Sequence, residues 1–288
     1  MSQPSVKKEI RKFLDLVNRQ RDTAWKYVSS LYRGARDKEL FESIENYCMF
    51  VGYPRSGHSL VGSLLNAHPE MVIAHEVNVL RFLEADFRKN QLYSLILMKD
   101  KTFEKNGREQ AGYHYNVPNQ WQGKFRMLRV VGDKKGGRST LKLMENPRLL
   151  HRLQKTVRVP LKFIHVLRNP YDNIATISKR KKLSLIKSID FYFSLCRTVA
   201  RVKKQLSAEN ILDVRLESLI HDPRTEVKRC CDFLGVESTE DYLNDCASIV
   251  FESPRKTRQS GEWSKELIQA VKEKMALVDF LEGYSYEC

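Results

Sequence analysis

One stretch of the chain constrains it more than any other. Residues 47–53, Tyr-Cys-Met-Phe-Val-Gly-Tyr, form a short apolar run ending at Gly52 and Pro54, as a strand buried on both faces would. Residues 59–67 then read as the start of a helix, with Leu60, Leu64 and Leu65 apolar. Between them lies Gly52-Tyr53-Pro54-Arg55-Ser56-Gly57-His58-Ser59. Glycines at this spacing in a strand-to-helix loop let backbone N–H groups, backed by the helix N-terminus, cradle phosphate oxygens. A nucleoside-triphosphate site of this kind needs a lysine just before the final hydroxyl residue, to reach the β- and γ-phosphates. His58 stands there instead, and no acidic residue follows a strand as a metal-binding partner would. Triphosphate hydrolysis is therefore disfavoured, and the turn carries its own cation, Arg55.

The same alternation continues. Buried strands are expected at 127–131, 162–167 and 211–215, with helices between them that include 187–206 and 224–234. Strands alternating with helices predict an α/β fold, a phosphate-loop type of parallel sheet flanked by helices. There is no internal repeat and no linker, so a single domain is expected over 47–288, with residues 1–46 as an N-terminal helical extension. In that extension Ser5 is a cap candidate for a helix over 5–33. Ile10, Phe13, Leu14 and Val17, then Ala24, Tyr27, Val28 and Leu31, give it an apolar stripe that should pack on the main body. Residues 85–125 are expected to be irregular, an aromatic-rich insertion over the C-terminal edge of the sheet, with Tyr113, Tyr115 and Trp121 as a wall for a second substrate.

Composition narrows the function. The chain has 50 Lys and Arg against 35 Asp and Glu, a formal net charge of +15, and such a field attracts anions. The basic residues are spread without a Lys/Arg tail, and zinc-finger spacing and RNA-binding aromatic signatures are missing; nucleic acid is not an expected partner. No run of 18 apolar residues exists, so no membrane span is expected. The first residues carry charge where a secretory leader needs an apolar core, and the six cysteines include no Cys-x-x-Cys pair. These features predict a cytoplasmic protein with reduced thiols and no structural zinc.

The segment Tyr53-Pro54-Arg55-Ser56-Gly57-His58-Ser59-Leu60 resembles the 5′-phosphosulfate loop of sulfotransferases that use 3′-phosphoadenosine 5′-phosphosulfate; its Arg is similar to that of the protein-tyrosine branch. Two further segments resemble the same family. Arg168-Asn169-Pro170-Tyr171-Asp172, with Thr176 eight residues after the arginine, looks like the 3′-phosphate motif; an arginine at a strand end and a hydroxyl on the next helix can clamp one phosphate from two sides. Arg255-Lys256-Thr257-Arg258-Gln259-Ser260-Gly261-Glu262-Trp263 resembles the C-terminal loop, offering Arg255, Lys256 and Arg258 to that phosphate. Glu217, Asp222-Pro223 and Phe233-Leu234-Gly235 complete a likeness running from about 47 to 264.

The resemblance implies a sulfotransferase. The donor would be 3′-phosphoadenosine 5′-phosphosulfate, leaving adenosine 3′,5′-bisphosphate, with no metal. The nucleotide would be held by Arg55, Ser56, Gly57, His58, Ser59, Leu60, Arg168 and Thr176 with the C-terminal basic cluster. Arg55 and Lys134 would carry charge at the transferring group. A base must take the acceptor's proton. Glu76 stands 22 residues after Pro54, where the protein-tyrosine branch places its carboxylate, and it is preferred to the adjacent His75. The acceptor is expected to be a small molecule bearing a hydroxyl or amine. The alternatives are a nucleotide-dependent phosphotransferase and a basic polyanion-binding protein.

Overall fold

A computed structural model describes residues 6–110 and 112–287. The chain opens with helix α1 (Val6–Arg36), followed by β1 (Asn46–Gly52), α2 (His58–Asn66), β2 (Met71–His75), α3 (Val79–Glu84) and α4 (Lys89–Lys105). A two-residue ribbon, β3 (Glu109–Gln110) with β4 (Tyr113–His114), leads to β5 (Val130–Lys134), α5 (Gly136–Glu145) and α6 (Arg148–Val157). Then come β6 (Leu161–Leu167), α7 (Pro170–Lys181), α8 (Leu185–Lys204), β7 (Ile211–Arg215), α9 (Leu216–His221), α10 (Pro223–Leu234), α11 (Glu240–Ser248) and α12 (Lys265–Met275). The large sheet is parallel throughout, in the order β2-β5-β1-β6-β7, and helices cover both faces. This is the expected α/β architecture, in one domain.

The order has a functional consequence. The central strand β1 has β5 on one side and β6 on the other, so the chain's path reverses direction across it, and ligand crevices form outside the carboxyl ends of strands at such points. His75 and Lys134 end β2 and β5 in paired register, Gly52 ends β1 beside Val166, and Leu167 pairs with Arg215. Strand ends from the whole sheet thus meet at one edge.

Several expectations need correction. The strand foreseen at 127–131 starts three residues later; Met127 is exposed and Leu128 is buried ahead of the ladder. Strand β2 was not foreseen. Region 85–125 is not irregular throughout: α4 runs 17 residues through it and buries Leu92, Tyr93, Leu95 and Ile96 against the sheet. The α1 stripe is turned the other way. Tyr27 packs on Phe87 with ring centroids 5.1 Å apart, but Val28 is 68% and Leu31 48% exposed and Ala24 is exposed. Ser5 and the side chains of Ile10 and Phe13 lie outside the described residues. The five described cysteines are buried and unpaired; Cys288 lies outside the described residues.

The loop after β1 is fitted to its neighbours by glycine. Gly57 has φ +99, and Gly136, the first residue of α5, lies under the His58 ring. That ring is buried, with Nε2 3.1 Å from the Val51 carbonyl and Nδ1 3.0 Å from Ser56 Oγ. A Cβ on Gly136 would land on the imidazole. Ala is normally the better residue inside a helix. Gly136→Ala should nevertheless destabilise the protein by about 1–3 kcal/mol, the usual cost of overpacking, and it should become neutral or stabilising once His58→Ala removes the ring. A double-mutant cycle by denaturant unfolding reads this directly; equal loss in both backgrounds would show that the ring is not the obstacle.

Candidate active site

The five strand ends and the loops beyond them surround a cleft of about 1140 Å³. Among the described residues eleven Lys or Arg line it with a single carboxylate, Glu76, a charge balance suited to an anion. The loop after β1 forms its floor. Among the described hydrogen bonds the amides of residues 55–59 donate to no protein acceptor, which leaves a row of N–H groups at the N-terminus of α2. Arg55 sits in this row with φ +72 and an exposed side chain. A non-glycine residue in the left-handed region costs about 1–3 kcal/mol and is typical of ligand clamps.

Arg168 occupies one end of the cleft. Its Nη1 donates to Thr176 Oγ1 at 3.2 Å and to the Arg55 carbonyl at 3.3 Å. Its Nη2 donates to the Arg255 carbonyl at 2.6 Å and to Thr257 Oγ1 at 2.9 Å. All three sequence motifs meet on this one guanidinium. Of the C-terminal basic cluster, Arg255 lines the cleft, its guanidinium 5.5 Å from the centre of the Tyr113 ring. Lys256 is exposed outside the lining. Arg258 is consumed by a buried ion pair with Asp172 at 2.6 Å, both side chains 3% exposed. Its place at the cleft is taken by Thr257, which the sequence reading passed over.

At the opposite end, Lys134 closes β5. Its buried ammonium donates to Ser59 Oγ at 2.9 Å, His75 Nε2 at 3.1 Å and Glu76 Oε1 at 3.3 Å. Burial lowers its pKa to about 8, against the raising effect of Glu76. Burial works to raise the Glu76 carboxyl, but Lys134 and a hydrogen bond from Lys135 bring it down to about 2. His75 is held neutral, its pKa lowered to about 3 by burial and by the Lys134 charge. Its ring stacks on Phe103 and its Nε2 also meets the Gln110 side chain, so it faces inward rather than into the cleft. Lys135 and Gln110 were missed in the sequence; nothing in a Lys-Lys dipeptide says which amine bonds a carboxylate 59 residues away.

The turn bearing Glu76 has its own anchor. Asp133 is fully buried and accepts from the Val77 amide at 2.9 Å and the Val79 amide at 2.8 Å. It therefore fixes the turn rather than orienting Lys134. Glu76 and Asn78 both sit in the left-handed region, φ +65 and +66. Gly57, His58, Ser59 and Leu60 line the cleft with Thr176, whereas Ser56 is buried beneath it. Tyr113 and Tyr115 form part of the wall, while Trp121 lies outside it. Among the described residues no cluster of His, Cys, Asp and Glu is arranged to hold a metal ion.

Comparison with known proteins gives this geometry a context. The sequence profile of a family described as "Sulfotransferase family" matches residues 49–241. A sulfotransferase from Mycobacterium tuberculosis is similar in structure, with a TM-score of 0.50, 13% identity, and coverage of 86% of this chain and 81% of that one. One from Alicyclobacillus acidocaldarius has a TM-score of 0.48 and 20% identity, over 84% and 96%. A mouse sulfotransferase complexed with PAP has a TM-score of 0.45 and 13% identity, over 82% and 86%. A search of the curated proteins found no match.

The charge pattern around Lys134 is measurable without any ligand. The ammonium should titrate near pH 8 in heteronuclear NMR of labelled lysine. Glu76→Gln should move that midpoint lower still, because it removes the anion that favours the charged amine. An unchanged midpoint would mean that the 3.3 Å contact carries no coupling.

Proposed function

The chain belongs to the sulfotransferase family, and we propose that it moves the sulfuryl group of 3′-phosphoadenosine 5′-phosphosulfate onto a hydroxyl or amine of a small-molecule acceptor. The observation that carries this reading is the convergence on Arg168 of the loop after β1, the first turns of α7 and the C-terminal loop. Among the described residues none of Arg55, Arg168 and Arg255 forms an ion pair with a carboxylate, so their charge suits an anionic nucleotide. Arg168, Thr176, Thr257 and Arg255 would hold the 3′-phosphate. The amides of residues 55–59, the Ser59 hydroxyl and the edge of the loop at Gly57 and Leu60 would hold the 5′-phosphosulfate. The buried His58 ring cannot do what lysine does in triphosphate sites, which argues against the phosphotransferase alternative.

In the proposed reaction the acceptor oxygen or nitrogen forms a bond to sulfur while the bond from sulfur to the bridging oxygen breaks in line. The departing bisphosphate keeps the electron pair, and Arg55 and Lys134 offset the charge growing on the bridging and sulfuryl oxygens. The acceptor's proton goes to Glu76. A carboxylate this strongly paired is a weak base, but it is ionised at every working pH. It takes the proton late, once bonding to sulfur has made the acceptor acidic. His75 already accepts from Lys134 and holds that amine in place. The catalytic part is assigned to 47–288, with 1–46 as the extension. Among the described residues no helix is long and apolar enough to cross a membrane. The five described cysteines are free thiols, and it is on that chemistry that the cytoplasm is proposed as the compartment.

Two substitutions test the two ends separately. Arg168→Ala should weaken adenosine 3′,5′-bisphosphate by about 30-fold or more, the low end of what breaking a buried charge-assisted contact costs, and AMP far less; calorimetry showing equal losses would sink the 3′-phosphate assignment. Glu76→Gln should cut turnover by about 10²–10⁴, the worth of a general base, with bisphosphate affinity nearly unchanged and His75→Ala milder. If labelled-sulfate transfer survives in Glu76→Gln and dies in His75→Ala, the imidazole is the base.

A further inference from the structure

Helix α1 is docked by the side that its sequence would not suggest. The face against the body sets one aromatic, Tyr27, among the small residues Thr23, Ser30 and Gly34, at four-three-four spacing. Gln91 Nε2 donates to the Tyr27 carbonyl at 3.1 Å, and Asn90 Nδ2 to the Gly34 carbonyl at 3.2 Å. Asp22 takes Lys26 at 2.9 Å and Arg81 at 3.4 Å. The opposite face carries the large apolar side chains. Leu14 is 53% exposed, Trp25 62%, Val28 68%, Leu31 48% and Tyr32 72%. Five of the eleven exposed large hydrophobics among the described residues therefore share one side of one helix, and a clustering of that kind marks an interaction surface.

The charge on the helix says what covers this face. It carries nine Lys or Arg against three Asp or Glu, in a chain of net charge +15. Two copies pairing through this face would bring two such helices together, with Arg21 exposed near its middle, so self-association works against like charge. An anionic lipid surface satisfies every part of the pattern: an apolar stripe to enter the acyl boundary, Trp25 and Tyr32 for the interfacial layer, and basic residues for acidic headgroups. We propose that α1 is a peripheral membrane-docking helix that holds this enzyme, without spanning, on a bilayer rich in anionic phospholipid. Lys26, on the side of the same helix away from the stripe, lines the cleft. Docking thus sets the cleft mouth about one helix diameter, roughly 10 Å, from the headgroups.

The test uses the full chain and flotation with vesicles. Vesicles of phosphatidylcholine with about 30% phosphatidylserine should carry the protein, pure phosphatidylcholine should not, and binding should weaken as salt rises through the screening range. Trp25→Gln with Val28→Gln keeps the charge and uses a good helix former at exposed positions. It should lower the partition coefficient at least about tenfold, the order expected from burying two such side chains, with the thermal midpoint and bisphosphate affinity unchanged. If the double variant floats as well as the parent, the basic body alone binds lipid and the helix proposal fails. If neither protein floats, the proposal fails likewise. A dimer in light scattering that the double variant abolishes, without flotation, would assign the face to a second copy instead.

Discussion

The Arg168 guanidinium is the point on which the cleft is assembled. It bonds segments 113 and 87 residues away, through the Arg55 and Arg255 carbonyls. A guanidinium has five donors in a planar fork, and here its two Nη groups reach two carbonyls and two hydroxyls belonging to two loops and helix α7. The residues that follow it do the same work. Asn169 donates its amide to Glu217 Oε1 at 2.8 Å, and Asn173 Nδ2 donates to the Pro54 carbonyl at 2.6 Å. Asp172 accepts the Arg258 amide at 2.8 Å besides the buried ion pair. Removing one partner of such a pair leaves an uncompensated charge and costs about 3–5 kcal/mol. The strand end at β6 is thus an organiser of loops as well as the proposed 3′-phosphate site.

A second network steadies the loop from below. The Tyr53 hydroxyl lies 3.1 Å from His165 Nε2, and His165 Nδ1 lies 3.0 Å from Asp213, which Lys203 also meets at 2.6 Å. Burial keeps the His165 pKa low, so the ring is neutral: it donates to the carboxylate from Nδ1 and accepts from the tyrosine. Tyr53, just after β1, is thereby joined to the adjacent strands β6 and β7 beneath the row of amides at 55–59. The left-handed φ of Arg55 is met from outside the loop, by the Arg168 hydrogen bond to its carbonyl.

What the sequence made legible was local. The loop after β1 and the turn before α7 could be read because their chemistry sits within a dozen consecutive residues. Strand β2 was missed because a five-residue strand after His68-Pro69 gives too short an apolar run to separate from a helix end. Helix α4 was missed because the aromatic residues and basic stretches on either side obscured its period. Arg258 drew attention as one of three neighbouring cations, yet only a fold that brings Asp172 to it could say that its charge is neutralised. The face of α1 was misread for a similar reason. The helix has two seams, and periodicity favours the larger apolar one, whereas docking used the one with Ser30 and Gly34, where the backbone of α4 can come close: a Cβ on Gly34 would lie 3.0 Å from the Asn90 carbonyl group.

The cations at the two ends of the cleft differ in kind. The end proposed for the 3′-phosphate is built from arginine, whose charge persists through burial and whose fork fits several oxygens at once. The end proposed for chemistry has a buried lysine, a compact charge whose pKa the surroundings can move. Burying that amine is unfavourable unless an anion stands near. Before any ligand binds, Glu76 is that anion, and it keeps Lys134 charged near neutral pH. A sulfuryl group entering the site would bring negative charge of its own and relieve Glu76 of this role. The carboxylate would then depend less on the lysine, its proton affinity would rise, and it would become a better base only when the donor is in place. On the proposed assignment, the Lys134–Glu76 pair makes the basicity of the site conditional on the charge of the substrate it is to act on.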